Sequence, residues 1–391
     1  MREREAMPSE LHEELRRSVR DFVAKEVLPV ADVLDREERD IPEEIIKKMA
    51  ELGYFGLIFP SEHGGVDLDH LALAITSEEL SRGWLSVGSV LTRNLITGVL
   101  ILAHGTEEQK RRFLPGIVSG ELLTAAAFTE PDAGSDTAGI KTRARQAGDR
   151  YLLTGAKTWC TFANRANILS VLARTDPDPA KRHKGLSLFL VEKEPGDGFD
   201  PPRIAGEPIP TVGYHGMHCF TLGLQDCSVP ADNLIGGVEN KGFYQLMAAY
   251  ESARIQTAAR AVGVAQGAFD LAVKYARERH QFGQPIGNFQ AIRHKLADMA
   301  TEVQAARQLT YYAASMKDTG RRCDLEAGMA KLFASDMVER VASEALQIHG
   351  GYGYSKEYSI QRYWRDARLF RIFEGTSEIQ REVIAKRLIE G

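Results

Sequence analysis

Residues 258–267 have the sequence Ala-Ala-Arg-Ala-Val-Gly-Val-Ala-Gln-Gly and lie within a longer segment of helical periodicity. Small residues let neighbouring helices approach closely, so this segment predicts a helix that packs among others. Three more helical segments follow, connected by short loops. The candidate helices are 243–278, 288–319, 324–349 and 374–389. Four long helices with short connections predict a four-helix bundle, which we assign to residues 238–391.

The chain before this bundle has two parts of different composition. Residues 125–237 are rich in Gly, Pro, Asp and Thr between short apolar runs, which is typical of a small β-sandwich or barrel. Residues 1–124 carry helix signals, such as Ser9 as an N-cap and a capping box from Thr106 to Gln109. The order predicts an α+β protein with an N-terminal helical domain, a middle β domain and the C-terminal bundle.

Composition and charge exclude several classes of protein. The chain has 391 residues, with 49 Lys+Arg against 54 Asp+Glu, and the net charge of −5 argues against a nucleic-acid partner. None of the four cysteines forms a C-x-x-C pair, so we predict neither a disulfide framework nor a zinc ribbon, and a reducing cytoplasm fits. The first ten residues lack the apolar core of a secretory signal, and the longest apolar stretch, Leu95–Ala103, is too short for a membrane span. The close pair His215 and His218 lacks carboxylate or Cys companions, so no metal site is predicted.

Two segments of the middle domain are candidates for contact with a cofactor. Residues 128–136, Phe-Thr-Glu-Pro-Asp-Ala-Gly-Ser-Asp, favour a tight loop whose free N–H groups and hydroxyls can hold a polar ring edge or an anion. In residues 157–161, Lys-Thr-Trp-Cys-Thr, strand alternation predicts that Trp159 and Thr161 share one face. That face could stack on an aromatic cofactor and donate a hydrogen bond. A plain surface turn and a core Trp are the alternatives.

Three segments of the C-terminal part place charges, aromatic rings or glycines at helix ends. Residues 277–283, Arg-Glu-Arg-His-Gln-Phe-Gly, offer an Arg for a phosphate, or only favourable charges at a helix C-terminus. Residues 347–353, Gln-Ile-His-Gly-Gly-Tyr-Gly, do not match a dinucleotide-binding motif, but paired glycines allow close approach to a pyrophosphate or simply cap a helix. Residues 373–380, Phe-Glu-Gly-Thr-Ser-Glu-Ile-Gln, place Glu374 after an apolar run. Burial there would raise its pKa towards that of a general base, and a stabilising Glu at a helix N-terminus is the alternative.

The order and spacing of these five segments resemble the acyl-CoA dehydrogenase family over essentially the whole chain. The resemblance implies the domain order above, a homotetramer with one FAD per subunit, and electron transfer flavoprotein as the protein that reoxidises the cofactor. In the implied reaction a base removes the α-proton of an acyl-CoA thioester while a hydride leaves the β-carbon for the flavin. Glu374 matches the catalytic base.

The resemblance also implies which positions bind the cofactor and the substrate. The cofactor-binding positions are Phe128, Thr129, Ser135, Trp159, Thr161, Arg279, Phe282, Gln347, Gly350, Gly351, Thr376 and Glu378. The substrate-binding positions are Ser135, Glu251, Arg254 and Gly375. Four positions depart from frequent family residues, namely Cys160, Gln281, Phe373 and Glu378. Some branches place the base where this chain has Ala253, so that alternative base is absent.

The acyl group is suggested by segments that resemble the branch that oxidises methylsuccinyl-CoA. These segments are 79–83, 89–93, 251–256 and 322–326. Thr92 falls where family members place a residue at the bottom of the acyl cavity, and its neighbour Arg93 would pair with a carboxylate at the far end of a short acyl chain. Alternatively, Arg93 points away and meets a surface acid. We therefore predict a short-chain acyl-CoA dehydrogenase whose substrate could be a dicarboxylyl-CoA such as methylsuccinyl-CoA.

Other functions fit the same pattern. A plain butyryl-type dehydrogenase and a glutaryl-CoA dehydrogenase differ from this prediction only in the acyl group. An acyl-CoA oxidase or flavin monooxygenase would keep the fold and change the electron acceptor. A scaffold without FAD would keep only the helical shell, and the cofactor-matching segments would then have no purpose.

Overall fold

The computed structural model describes residues 8–390, and its N-terminal part is helical, as predicted. The helices are α1 (Glu10–Phe22), α2 (Leu28–Arg36), α3 (Glu43–Glu51), α4 (His70–Gly83), α5 (Leu85–His104) and α6 (Glu107–Ser119), with a π-helical turn, Val23–Val27, between α1 and α2. Ser9 caps α1 and Thr106 caps α6, each in a capping box with the residue three positions on. Both predicted caps are therefore confirmed. The prediction about a secretory signal falls largely on residues 1–7, outside the described residues.

Helix α5 is the one helix among residues 8–390 that is long and apolar enough to cross a membrane, with a mean hydropathy of 1.6 over its best 18 residues. The apolar stretch Leu95–Ala103 is only part of this helix, which begins at Leu85, and the absence of a membrane span stays a prediction. Of that 18-residue window, 89% is buried inside the protein. Helix α5 packs against α4, α6 and α7, so it is a core helix of this fold.

The middle domain is built on one curled sheet of seven strands. The strands are β1 (Thr124–Ala127), β2 (Arg143–Ala147), β3 (Arg150–Thr161), β4 (Ile168–Arg174), β5 (Leu186–Glu192), β6 (Ile204–Ile209) and β7 (Cys219–Pro230). Their order is β1-β4-β2-β3-β7-β6, and β5 also pairs with β4. Strand β1 is parallel to β4, whereas β3 and β7 are antiparallel with two shifts of register. The second shift lies between Lys157 and Cys160, in a segment that the sequence assigned to the site.

The C-terminal part is a helical bundle, as predicted. Its helices are α7 (Gly242–Glu278), α8 (Gln290–Asp318), α9 (Asp324–His349), α10 (Ile360–Ala367) and α11 (Ser377–Glu390), and a small hairpin of β8 (His280–Gln281) and β9 (Gln284–Pro285) connects α7 to α8. The fourth predicted helix starts at Ser377 and not at position 374, because Glu374 and Gly375 have left-handed φ values of +53° and +89°. The predicted domain boundaries after residues 124 and 237 stay predictions.

Helix α7 lies at the centre of the molecule, between the bundle and the N-terminal helices. A Cβ atom added to Gly263 would lie 2.0 Å from the backbone oxygen of Glu78 on α4, so only glycine allows this approach of the two helices. Helix α5 packs on α7 as well, and its Arg93 is tied to the sheet, since the Thr124 hydroxyl donates to the Arg93 backbone oxygen at 2.7 Å. The packing therefore brings a buried arginine of α5 next to the polar residues of α7.

Candidate active site

Glu374 lies in a buried cluster of charges between α5, α7 and the turn before α11. Arg93 Nη2 donates to its Oε1 at 2.6 Å, and Arg260 Nη2 donates to its Oε2 at 2.7 Å. The Thr257 hydroxyl donates to the same Oε2. Arg93 comes from α5, whereas Thr257 and Arg260 lie one turn apart on α7. Both carboxylate oxygens are thus engaged by donors from two helices.

The electrostatics of Glu374 correct the prediction about its pKa. Burial alone would raise the pKa of Glu374, as the sequence suggested, but the charges of Arg260 and Arg93 and the hydrogen bonds from Thr257 and Arg260 outweigh burial. The net result is a pKa below its ordinary value, so the carboxylate is ionised at neutral pH. An ionised carboxylate is in the correct state to accept a proton, although its donors reduce its basicity.

Arg93 does not meet a surface acid in this structure, because its partner is Glu374 itself, at 2.6 Å. Its pairing with a substrate carboxylate stays a prediction. Arg260 is fully buried and shares this carboxylate. The Nε atoms of both arginines are buried and have no hydrogen-bond partner among the described residues. The cluster therefore holds two guanidinium charges against one carboxylate.

Lys331 of α9 holds the turn that carries Glu374. Its Nζ donates to the backbone oxygens of Phe370 at 2.7 Å and Gly375 at 2.6 Å, and its side chain is fully buried. Burial lowers the pKa of Lys331 to about 8. These two bonds bridge the residues on either side of Glu374, so Lys331 fixes the path of the backbone there.

The loop over residues 128–136 is shaped from within by a buried ion pair. Lys157 Nζ donates to Glu130 Oε1 at 2.8 Å and to the backbone oxygen of Phe128 at 3.1 Å. Burial alone would raise the pKa of Glu130, but the Lys157 charge and hydrogen bonds from Thr142 and Lys141 lower it. The backbone N–H of Thr158 donates to Thr129 at 2.9 Å, so the two predicted segments of the middle domain lie side by side. Ser135 is exposed on the same loop.

The regular strand alternation predicted from Trp159 to Thr161 is interrupted. The register shift between Lys157 and Cys160 interrupts the alternation of β3, and Trp159 has a φ of +56°. The Trp159 side chain is 56% exposed, whereas Thr161 is buried and lies 3.2 Å from Cys219 Sγ. A β-bulge with a left-handed residue re-aims a side chain, and here it turns the indole outward.

The segments at the ends of α7 and α9 lie next to each other. Arg279 packs over the ring of Tyr352 at 5.5 Å, which joins the β8–β9 hairpin to the glycines that follow α9. Phe282, in that hairpin, is 91% exposed with a φ of +50°. Gln347 and Gly350 are exposed at the end of α9. Gly350 caps the helix, which was the alternative interpretation of the paired glycines. Gly351 is exposed beside it.

The remaining predicted positions are divided between buried and exposed surroundings. Glu251 is buried and accepts from Lys317 at 2.7 Å. Buried Arg254 lies over the Tyr250 ring, and its Nε has no hydrogen-bond partner among residues 8–390. Thr376 is half-buried and caps the first turn of α11 by accepting from the backbone N–H of Ile379. Glu378 is exposed in the first turn of α11. The four cysteines, Cys160, Cys219, Cys227 and Cys323, are buried and free. His215 and His218 are hydrogen-bonded to the backbone oxygens of Asp35 and Glu38.

Comparison with known proteins finds the same three domains in the same order. The models for the N-terminal, middle and C-terminal domains of acyl-CoA dehydrogenase match residues 9–121, 125–227 and 240–389. This chain belongs to the acyl-CoA dehydrogenase family. Its members are oxidoreductases that act on CH–CH bonds of acyl-CoA, and their cofactor is FAD.

Three relatives of this acyl-CoA dehydrogenase illustrate the range of the family. The (2S)-methylsuccinyl-CoA dehydrogenase of Cereibacter sphaeroides is 48% identical over 381 residues, which is 97% of this chain and 69% of that protein. The caffeyl-CoA reductase-Etf complex subunit CarC of Acetobacterium woodii is 41% identical over 98% of this chain and 99% of its own. The solved butyryl-CoA dehydrogenase of Megasphaera elsdenii is 36% identical, with a TM-score of 0.93 over 98% of this chain and 99% of its own.

The exposed residues of this dehydrogenase fit FAD. Trp159 and Phe282 present large apolar rings outward from left-handed backbone positions, which cost free energy and are unusual at a surface without a partner. A Cβ atom added to Gly350 or Gly351 would have open space around it, so a ligand can approach the backbone there. These exposed rings and open glycines fit a large planar cofactor with a pyrophosphate.

Three residues of the site were missed from sequence, namely Thr257, Arg260 and Lys331. Arg260 did carry a signal, because it is the one charged residue in the segment 258–267, whose other positions are mostly small and buried. A fully buried charge requires a partner. Lys331 gave no such signal, since its partners are backbone oxygens that only the folded chain brings together.

Proposed function

We propose that this acyl-CoA dehydrogenase desaturates a short dicarboxylyl-CoA with a four-carbon backbone, such as methylsuccinyl-CoA. The observation that carries the proposal is the pair Arg93 and Arg260 beside Glu374, with two positive charges against one buried carboxylate. A second carboxylate, brought by the substrate, would balance this charge. Bidentate pairing with a carboxylate is the strongest use of a guanidinium.

In this proposal each residue of the cluster has one task. Glu374 accepts the α-proton of the thioester, and its place in a left-handed turn lets its own backbone N–H face the thioester carbonyl. FAD, when bound, accepts the hydride that leaves the β-carbon. Trp159 and Thr161 would lie against the flavin, while Arg279, Phe282 and the 347–351 segment would bind its nucleotide end. Arg254 would meet the CoA nucleotide, with Glu251 nearby.

The position of the arginines limits the length of the acyl chain. Both guanidinium groups lie within hydrogen-bond distance of Glu374, so a substrate carboxylate that they bind must lie close to the α-carbon. In a succinyl skeleton only the β-carbon separates the α-carbon from the carboxylate, a span of about 2.5 Å for two bonds of ~1.5 Å. Glutaryl-CoA inserts one more carbon and moves its carboxylate away from the pair.

The proposal also covers the electron acceptor, the oligomeric state and the cellular location of the protein. We infer that electron transfer flavoprotein accepts the electrons. The Acetobacterium woodii relative supports this inference, because its name makes it a subunit of a complex with Etf. The exposed Phe282 and Tyr352 support a homotetramer in which these rings are covered. The four free cysteines support a cytoplasmic location. A butyryl-type dehydrogenase is the second candidate, supported by the likeness to the Megasphaera elsdenii enzyme.

The test compares kcat/KM for methylsuccinyl-CoA, glutaryl-CoA and butyryl-CoA in the wild type and in Arg93→Ala. We expect the wild type to prefer methylsuccinyl-CoA, and the variant to lose about 2–5 kcal/mol of that preference, the range for truncating one partner of a buried charge pair. Arg254→Ala is the matched control. It should lower kcat/KM for all three substrates in parallel, because each carries the same CoA.

A wild type that prefers butyryl-CoA would reject the dicarboxylate and leave a plain short-chain dehydrogenase. A preference for glutaryl-CoA would reject the length argument. A purified protein without flavin absorbance would favour the scaffold, and rapid turnover with oxygen in place of an electron-accepting dye would favour an oxidase.

A further inference from the structure

The carboxylate of Glu374 occupies the same arginine pair that the proposed function assigns to the substrate. We propose that Arg93, Arg260 and Thr257 hold Glu374 as a latch, and that the substrate's own carboxylate releases this base by taking its place. The inference rests on the proposed function. It makes Arg260 and Thr257 specificity-determining residues that act on the rate of proton abstraction.

The latch engages both oxygens of the base. Oε1 accepts from Arg93 at 2.6 Å, and Oε2 accepts from Arg260 at 2.7 Å and from the Thr257 hydroxyl. A carboxylate in charge-assisted bonds at both oxygens has little affinity for a further proton, so a latched Glu374 is a poor base. An oxygen must leave its donors before it can approach the α-carbon.

Arg260 is held by several contacts besides the one to Glu374. Arg260 Nη1 also donates to Ser89 at 2.8 Å, its Nη2 donates to Thr257 at 2.9 Å, and its guanidinium lies over the Phe373 ring at 5.0 Å. Glu374 lies in an irregular turn between α10 and α11. The movable partner in the cluster is therefore the carboxylate, and its departure leaves a prepared site for another carboxylate.

The charge count gives the direction of the exchange. When Glu374 leaves alone, two guanidiniums lose their counter-charge, which is costly because both are buried. When a substrate carboxylate takes its place, the pair keeps a counter-charge, and Glu374 becomes free to act. The α C–H bond would then break with its proton going to Glu374, and FAD, when bound, would supply the acceptor for the β-hydride. A monocarboxylic acyl-CoA supplies no such replacement.

This mechanism predicts opposite effects of one substitution on two substrates. Thr257→Val removes a donor to Glu374 without changing the charge, and Arg260→Gln removes a charged donor. With butyryl-CoA, we expect each variant to reduce its flavin faster than the wild type, on the order of tenfold for Arg260→Gln, because loss of a charge-assisted bond corresponds to about that factor. With methylsuccinyl-CoA, Arg260→Gln should be slower. Thr310→Val removes a buried hydroxyl of α8 that donates to the Ala306 backbone oxygen outside this cluster, and it is the matched control, with rates near the wild type.

A second experiment uses the unaltered holoenzyme, so folding of a variant is not at issue. Propionyl-CoA has the α- and β-carbons of the succinyl skeleton without the carboxylate, and formate supplies the missing group. We expect formate to accelerate anaerobic flavin reduction by propionyl-CoA at least tenfold over chloride at equal ionic strength, and to leave the equilibrium affinity for propionyl-CoA nearly unchanged. Arg93→Gln should abolish the formate effect.

The outcomes separate the latch from the proposed function. If the wild type prefers methylsuccinyl-CoA but formate has no effect and no variant gains rate with butyryl-CoA, the arginines only recognise substrate and the latch is rejected. If formate acts only by tightening the binding of propionyl-CoA, the latch is rejected as well. If the wild type prefers butyryl-CoA, the proposed function itself fails.

Discussion

Buried charges at single residues determine the chemistry of this site. Glu374 has a lowered pKa because Arg260 and Arg93 outweigh its burial, whereas Lys331 has a pKa of about 8 because burial outweighs the attraction of Glu374. Lys331 donates its hydrogen bonds to backbone oxygens, those of Phe370 and Gly375. It is a positioning residue, since it acts on the reaction through the turn that carries the base.

Replacing Lys331 should therefore slow proton abstraction without weakening substrate binding. Lys331→Met keeps much of the side-chain volume but leaves two backbone oxygens without their donor. We expect the rate constant for flavin reduction to fall by about tenfold or more, because a lost hydrogen bond to a charged group costs about 1.5–3 kcal/mol. The equilibrium affinity for acyl-CoA should change little. Rapid mixing and equilibrium titration measure the two quantities separately.

Lys193 provides a matched control for this substitution. Its Nζ donates to the backbone oxygens of Asn164 and Ala166, it is buried, and burial lowers its pKa to about 8, as for Lys331. Lys193 belongs to the middle domain, away from the Glu374 turn. Lys193→Met should lower the thermal stability as much as Lys331→Met does. An equal loss of flavin reduction in both variants would show that the effect of Lys331 is only structural.

At the residue scale, sequence alone predicted which residues belong to the site better than it predicted the contacts between them. Glu374 was found from its segment, and Arg93 from its place before the apolar part of α5. Their mutual contact could not be predicted, because it joins residues 281 positions apart through the packing of α5 on α7. The pKa of Glu374 was wrongly predicted for the same reason, since the sequence showed the burial but not the two arginines.

At the scale of elements, periodicity predicted the helices, and local strain limited the prediction of the site. The bundle helices were found to within a few residues, because small and apolar residues recur at helical spacing. The start of α11 was wrong because Glu374 and Gly375 have left-handed backbones. The regular alternation assumed from Trp159 to Thr161 was wrong because a β-bulge leaves no signal in an alternating pattern. Both errors lie at positions assigned to the reaction or the cofactor.

At the scale of the whole molecule, the order helical, β, helical was predicted from composition, and the family was confirmed over all three domains. Long helices and Gly-rich short strands differ enough in composition to be told apart without alignment. The arrangement places the Glu374 cluster on the bundle and the N-terminal helices, while the Trp159 bulge belongs to the sheet. A cofactor that contacts both would join the domains.

We expect cofactor binding and assembly to be linked, because Phe282 is proposed both to bind the nucleotide end of FAD and to be covered in the homotetramer. A ligand that binds only the assembled state stabilises it, by about 2.7 kcal/mol at a hundredfold excess over its dissociation constant. Removal of FAD should lower the melting temperature and the mass measured by light scattering, and added FAD should restore both. Phe282→Ala should weaken both properties together. A stable monomer saturated with FAD would contradict the link.

The most direct test of the account is anaerobic mixing of Glu374→Gln with methylsuccinyl-CoA while the flavin absorbance is recorded. Gln keeps the size of the side chain and its contact with Thr257 but cannot accept the α-proton. If Glu374 is the base, we expect the variant to retain FAD and to bind acyl-CoA. Its flavin should bleach at least about 10²–10⁴-fold more slowly than in the wild type, the range for loss of a general base. Near-normal bleaching in this variant would show that Glu374 is not the base.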